Sequence, residues 1–124
     1  MNEAEFLSQV VKLAHMYGWL CSHQRPAWTS KGFRTALQGD PGALDLLLAH
    51  PERGLIFAEL KVGKNKPTKA QEKWLWVLNE IAVSASHVSY GSSEPVAFPV
   101  RVYVWRETQL QEIADILAGK KPRV

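Results

Sequence analysis

Three charged residues stand where strands ordinarily bury apolar side chains. Asp45 interrupts Ala43-Leu44-Asp45-Leu46-Leu47-Leu48, and Glu59 and Lys61 interrupt Ile56-Phe57-Ala58-Glu59-Leu60-Lys61-Val62. Desolvating an unpaired ion is costly, so such residues need partners or a cation. A turn His50-Pro51-Glu52-Arg53-Gly54 centred on Glu52 sets Asp45 directly opposite Glu59. Opposed side chains share a face about 4.5–5.5 Å apart, and alternation adds Lys61 about 7 Å further along. Ile56, Ala58, Leu60 and Val62 then take the other face, and a slip of one residue would destroy the arrangement. Two close carboxylates cannot both ionise cheaply without a cation between them. Mg²⁺ suits that place because it takes one or two carboxylates and completes its shell with water and phosphate oxygens. With a lysine alongside, the chemistry this favours is phosphodiester hydrolysis. The spacing alone equally allows an internal Asp45–Lys61 ion pair with Glu59 exposed on an uncovered sheet face.

The elements that must position these residues follow from periodicity. Residues 3 to 17 read as an amphipathic helix with Phe6, Leu7, Val10, Leu13 and Ala14 inward, capped by Asn2 and ended by Gly18. Glu3 lies in line with the buried face, while Glu5 continues onto the wet face; the alternative for Glu3 is a first-turn acid favoured by the helix dipole. A strand is expected at 19 to 23. Gln24 to Asp40 is expected to be irregular, mixing Arg25, Trp28, Lys31, Phe33 and Arg34 in a way that suits nucleic acid or any amphipathic loop. After the hairpin comes a basic turn. A helix then runs from Thr68 to about residue 82, with Ala70, Trp74, Val77, Leu78 and Ile81 inward. Thr68-Lys69-Ala70-Gln71 has the form of a capping box, so Gln71 has a structural reading as well as a functional one. Strands are expected at 86 to 90 and 100 to 105, separated by a loop, and a last helix carries Leu110, Ile113, Ala114 and Leu117 to Gly119. The expected class is α/β, more narrowly α+β: a central mixed sheet flanked by helices in the order α-β-β-β-α-β(-β)-α. A single domain is expected over 1–119, with a basic tail over 120–124.

Composition sets the outer bounds. The chain has 124 residues, 46% hydrophobic and 22% charged, as one globular domain requires. No apolar run reaches the ~20 residues of a membrane span, and the start lacks the layout of a signal peptide, so a soluble, cytoplasmic protein is expected. Cys21 is the only cysteine, which excludes an internal disulfide and a cysteine-built zinc site; it reads as a small buried hydrophobe. A net charge of +3 is compatible with a polyanionic partner, the more so because Lys61, Lys64, Lys66 and Lys69 crowd one segment. His15, His50 and His87 share no motif, and each reads as a surface or helix-edge residue.

Several separated motifs occur in an order that resembles the VRR-NUC family of the PD-(D/E)XK nuclease superfamily. They are Asn2-Glu3-Ala4-Glu5-Phe6, Val10-Val11-Lys12-Leu13-Ala14-His15, Gly18-Trp19, His23-Gln24-Arg25-Pro26-Ala27, and the stretch from Gly39 to Gln71 with the Thr68-to-Leu75 helix start. The likeness covers nearly all of residues 2 to 82, continues more loosely through Val102-Tyr103-Val104-Trp105, and points to phage and bacterial single-domain members. It implies a restriction-endonuclease-like core and a Mg²⁺- or Mn²⁺-dependent endonuclease acting on DNA, on flaps or junctions as relatives do, with a homodimer as the candidate assembly for cutting two strands. By position it implies Asp45 and Glu59 as metal ligands, joined by the carbonyl of Leu60, and Lys61 as the catalytic lysine. It also implies that Glu3 holds metal-bound water and that Gln71 supports the site. His23 and Arg25 are expected to contact substrate, and Lys31, Arg34, Lys64, Lys66 and Lys69 to bind DNA phosphates. Leu44 stands where the family usually has proline, which alters backbone restriction rather than ligands. The competing readings are a nuclease-like module that grips nucleic acid without cutting, and an interaction domain whose charged face pairs internally.

Overall fold

A computed structural model describes residues 1–23, 27–29, 32–34, 39–84, 87–88, 96–97 and 100–120; for 27–29, 32–34, 82–84, 87–88 and 96–97 it describes the backbone course. The elements are α1 (Glu3–Met16), β1 (Leu20–His23), β2 (Ala27–Thr29), β3 (Gly32–Arg34), β4 (Leu46–His50), β5 (Gly54–Lys61), α2 (Lys69–Ser84), β6 (His87–Val88), β7 (Val96–Ala97), β8 (Val100–Arg106) and α3 (Leu110–Leu117), with a 3₁₀ turn (Glu107–Gln109) leading into α3. This is an α+β architecture around a four-stranded mixed sheet of order β1-β4-β5-β8, in which only the β5–β8 pairing is parallel. Among the described residues no helix is long and apolar enough to cross a membrane.

Period-two alternation sorts the sheet into two faces. Leu46, Leu48, Ile56, Ala58, Leu60 and Trp105 point into one core with Phe6, Val10 and Ala14 of α1 and Ile113 and Leu117 of α3. The opposite face carries Leu47, Phe57, Glu59 and Lys61, with Val102 and Val104 beside them on β8, and receives α2. The expected β4–β5 register is the observed one: Leu46 faces Ala58, Leu48 faces Ile56 and His50 faces Gly54. Gly54 closes the turn with φ +87°, a conformation that any side chain would strain.

That turn is braced from below. Arg53 Nη1 donates to the carbonyls of Tyr17 and Leu117, both at 3.1 Å, so one guanidinium joins the ends of α1 and α3 to the hairpin. Trp19 Nε1 donates to the same Leu117 carbonyl at 2.8 Å. His50 is half-buried rather than a plain surface residue: its Nδ1 accepts the backbone N–H of Glu52 and Arg53, and its ring lies 5.2 Å from that of Trp19.

Three expectations are corrected. The stretch from 24 to 40 is not wholly irregular, because Ala27–Thr29 and Gly32–Arg34 pair as an antiparallel hairpin. Within the strand expected at 86–90, His87–Val88 pairs with Val96–Ala97, which lies in what reads as loop; residues 86, 89 and 90 lie outside the described residues. On α2, Leu78 is buried and Trp74 half-buried, but Val77 and Ile81 are exposed, so its inward stripe is narrower than its periodicity suggests.

Replacing Arg53 with Ala should lower the unfolding free energy by about 2–4 kcal/mol, since charge-assisted bonds to two buried carbonyls are lost. Arg53→Lys should recover part of the loss, because both bonds come from the one Nη1 and an ammonium also carries several donors on a single nitrogen. Urea unfolding of the three proteins measures both effects.

Candidate active site

The hairpin brings the two carboxylates together at the mouth of β4. Continuing the observed register places Asp45 opposite Glu59, one residue before β4 begins. Here side chains replace the ladder. Leu60 N–H donates to Asp45 Oδ2 at 2.9 Å, and Asp45 N–H donates to Glu59 Oε2 at 3.3 Å. Because N–H and C=O of one strand residue project to the same side, the Leu60 carbonyl also points toward Asp45.

Glu59 is 1% exposed, the only charged residue buried among the described residues. Its Oε1 accepts Gln71 Nε2 at 2.8 Å and lies 3.7 Å from Lys61 Nζ, whose side chain is 12% exposed. Oε2 is left facing Asp45. The alternative with Glu59 on a bare sheet face is therefore overturned, and the ion pair Lys61 makes is with Glu59. Gln71 fills both roles open to it. Its Oε1 accepts Thr68 N–H at 2.9 Å, its own N–H reaches Thr68 Oγ1 at 3.2 Å, and its amide nitrogen is thereby turned to Glu59. The capping box is what orients the amide.

Burial first, then the neighbouring Asp45 carboxylate, push the Glu59 carboxyl up to about 8; Lys61 pulls the other way without cancelling them. Glu59 is thereby biased toward its protonated form in the cation-free protein, and Asp45 and Glu59 are the carboxylates that would hold a divalent cation, whose binding would release that proton. Among the described residues no group of three His, Cys, Asp or Glu side chains gathers, so the protein ligands on offer are two carboxylates and a carbonyl. That is a donor set typical for Mg²⁺.

Glu3 departs from expectation. It is exposed in the first turn of α1, where Asn2 Oδ1 caps the helix through Glu5 N–H at 2.8 Å, and no described hydrogen bond or ion pair joins it to Asp45 or Glu59. The dipole reading of a first-turn acid accounts for it. His23 does come to the site: with Ser22, Asp45, Phe57, Trp74 and Leu78 it lines a hollow of about 210 Å³. Lys64, Lys66 and Lys69 are exposed on the turn from β5 into α2. Arg25 and Lys31 lie outside the described residues, as do the side chain of Arg34 and residues 121–124 of the tail.

Periodicity does not reveal the residues that hold the site's edges. Trp74 Nε1 donates to the Pro41 carbonyl at 2.9 Å, tying the segment before Asp45 to α2. Gly42, at φ +89°, lies so close to α2 that an added Cβ would sit 2.6 Å from the Ala70 backbone. On the other side, Gly63 N–H donates to Glu107 Oε1 at 2.9 Å and Arg106 Nη1 donates to the Gly63 carbonyl at 3.2 Å, fixing the basic turn to the end of β8. The Gly63 bond holds the Glu107 carboxyl below its ordinary range. Compared with protein family models, curated proteins and solved structures, the chain matches none.

Gly42→Ala should cost about 2–4 kcal/mol, combining left-handed strain with overpacking against a helix backbone, as read by thermal unfolding. The pH dependence carries a second prediction. Glu59 is raised on folding, so its contribution is fully present below its unfolded value of 4.5 and is lost as pH rises through about 8. The cation-free protein should lose on the order of a few kcal/mol of stability between about pH 5 and 9 that Glu59→Gln does not lose, measured by urea unfolding across that range in a chelating buffer.

Proposed function

We propose that the protein is a divalent-metal-dependent endonuclease that hydrolyses DNA phosphodiester bonds, with a restriction-endonuclease-like core of the VRR-NUC kind. One observation carries this reading: a buried Glu59 facing Asp45, with Lys61 and Gln71 on its other oxygen. A structural ion pair would need one carboxylate for one lysine; here two carboxylates converge on one lysine and two backbone N–H groups, and among the described residues no second cation balances them.

Asp45, Glu59 and the Leu60 carbonyl are the residues that would hold Mg²⁺ or Mn²⁺. Bound there, the cation polarises a phosphoryl oxygen and lowers the pKa of water. The chain's own residues do the rest. Gln71 locks the Glu59 rotamer, so the carboxylate keeps its aim without reorganising. Lys61, tethered by Glu59 and mostly screened from solvent, offers an ammonium to the negative charge that grows on phosphorus-bound oxygens. The exposed Lys64, Lys66 and Lys69 supply sequence-independent phosphate contacts that seat the backbone. His23 shares a hollow with Asp45, which supports a role for it in touching substrate.

Asp45→Asn, Glu59→Gln and Lys61→Ala should each lower Mg²⁺- or Mn²⁺-dependent nicking by at least about a hundredfold while the fold is retained by circular dichroism. Plasmid, flap and four-way-junction DNA, with and without divalent metal, are the substrates to use. Wild-type rates from any of the three variants would sink the assignment. Steeply salt-dependent binding with no product in either metal would instead identify a module that grips DNA without cutting it.

A further inference from the structure

The Asp45 hollow has a neighbour on the far side of Trp74. Asp40, Pro41, Ala70, Lys73, Trp74 and Val77 line an open groove of about 340 Å³, and Trp74 also lines the hollow that contains Asp45. The groove's walls are mainly apolar, with one cation, Lys73, and one carboxylate, Asp40, on its lining. Lys69 and Lys73 stand one turn apart on the same edge of α2, and Lys64 and Lys66 precede them, all exposed.

We propose that this groove receives an unpaired nucleobase of DNA beside the phosphodiester held at Asp45 and Glu59, which makes the substrate a strand with a single-stranded stretch; the position of that phosphodiester rests on the nuclease reading above. Trp74 is the stacking platform. Its indole is half-buried and its orientation is set by the bond from Nε1 to the Pro41 carbonyl, so stacking need not first order the ring. Pro41, Ala70 and Val77 supply the apolar surround a base requires, and Lys73 supplies a cation for the attached phosphate. Asp40 accepts but cannot donate when ionised, and each unpaired base presents an N–H it can take, so the groove reads the absence of pairing rather than the identity of the base. A base within a duplex is stacked and paired and would have to be extruded before it could enter. Exposed Lys64, Lys66, Lys69 and Lys73 outnumber the acids Asp40 and Glu72 around the start of α2, and this local positive balance favours a phosphate-bearing occupant over a second copy of this chain, which is itself net positive.

The test uses the full chain in a chelating buffer, where nothing is cleaved. Oligonucleotides carry 2-aminopurine either in a single-stranded overhang or inside a blunt duplex. Stacking on Trp74 should quench the overhang base and leave the duplex base unchanged. Val77→Glu, on the groove wall and away from the Asp45 hollow, and Lys73→Glu should abolish the quenching and reduce the ratio of overhang to blunt-duplex affinity by roughly tenfold. Both positions are exposed, so the variants should melt like the wild type. Absence of quenching in the wild type overturns the proposal, as does quenching that survives both substitutions. Self-association that Val77→Glu abolishes, without quenching, would assign the groove to a second copy and likewise overturn it. Nicking with Mg²⁺ but no quenching would leave the nuclease reading standing alone; quenching without nicking in any metal would leave the groove and remove the nuclease.

Discussion

A carboxyl group held at 1% exposure opposite a second carboxylate is the constraint around which this domain is arranged. Left alone, such a pair would open to water, because burial and like charge both disfavour the ionised form. The surroundings prevent it. Gln71 holds one Glu59 oxygen, the Leu60 N–H holds Asp45, and Lys61 offsets part of the charge from 3.7 Å away. The Asp45 N–H reaches Glu59 Oε2 at 3.3 Å, yet two carboxylates still share a single lysine, and on the proposed nuclease reading that surplus is what a proton or a divalent cation would meet.

Holding that pair depends on a register, and the register on a brace remote from the site. Arg53 in the β4–β5 turn joins α1 and α3 at the end of the sheet opposite the carboxylates, where His50 and Gly54 settle the turn geometry. A slip of one residue would carry Glu59 into the apolar core and Leu60 out of it. The core on one face therefore enforces the chemistry on the other, since Ile56, Ala58 and Leu60 can be buried only if Glu59 and Lys61 face α2.

The register was legible in the sequence because it needs only local information: two apolar runs, a turn punctuated by Pro51 and Gly54, and a period of two. The same holds for α1, β8, α3 and the Thr68–Gln71 cap. What was not legible lies between segments with no periodicity to align them. Gly42 reads as a loop glycine until Ala70 is found against it, and Trp74 reads as a core residue of an amphipathic helix until its indole is found bonded to Pro41. Strands of two and three residues, such as β6 and β3, are too short to alternate visibly. Glu3 fails for a different reason: helical phase places it on the inward line, but that line runs off the end of the packed layer in the first turn, where a carboxylate stays in water.

The two edges of the site are built unlike each other, and the difference bears on what can move. Toward β8 the basic turn is held by a backbone-to-carboxylate bond and a guanidinium, both in exposed surroundings. Bonds of that kind exchange readily with water, so on the proposed nuclease reading the Gly63–Lys66 segment could adjust as a polyanion approaches. Toward α2 the Asp45 segment is held by a glycine wedged on helix backbone and by a fixed indole, contacts that permit little travel. A metal ligand needs the rigid edge and a phosphate grip tolerates the compliant one. On the proposed nuclease reading, Asp45 stands on the first edge and the lysines on the second, a division of labour that would suit phosphodiester chemistry.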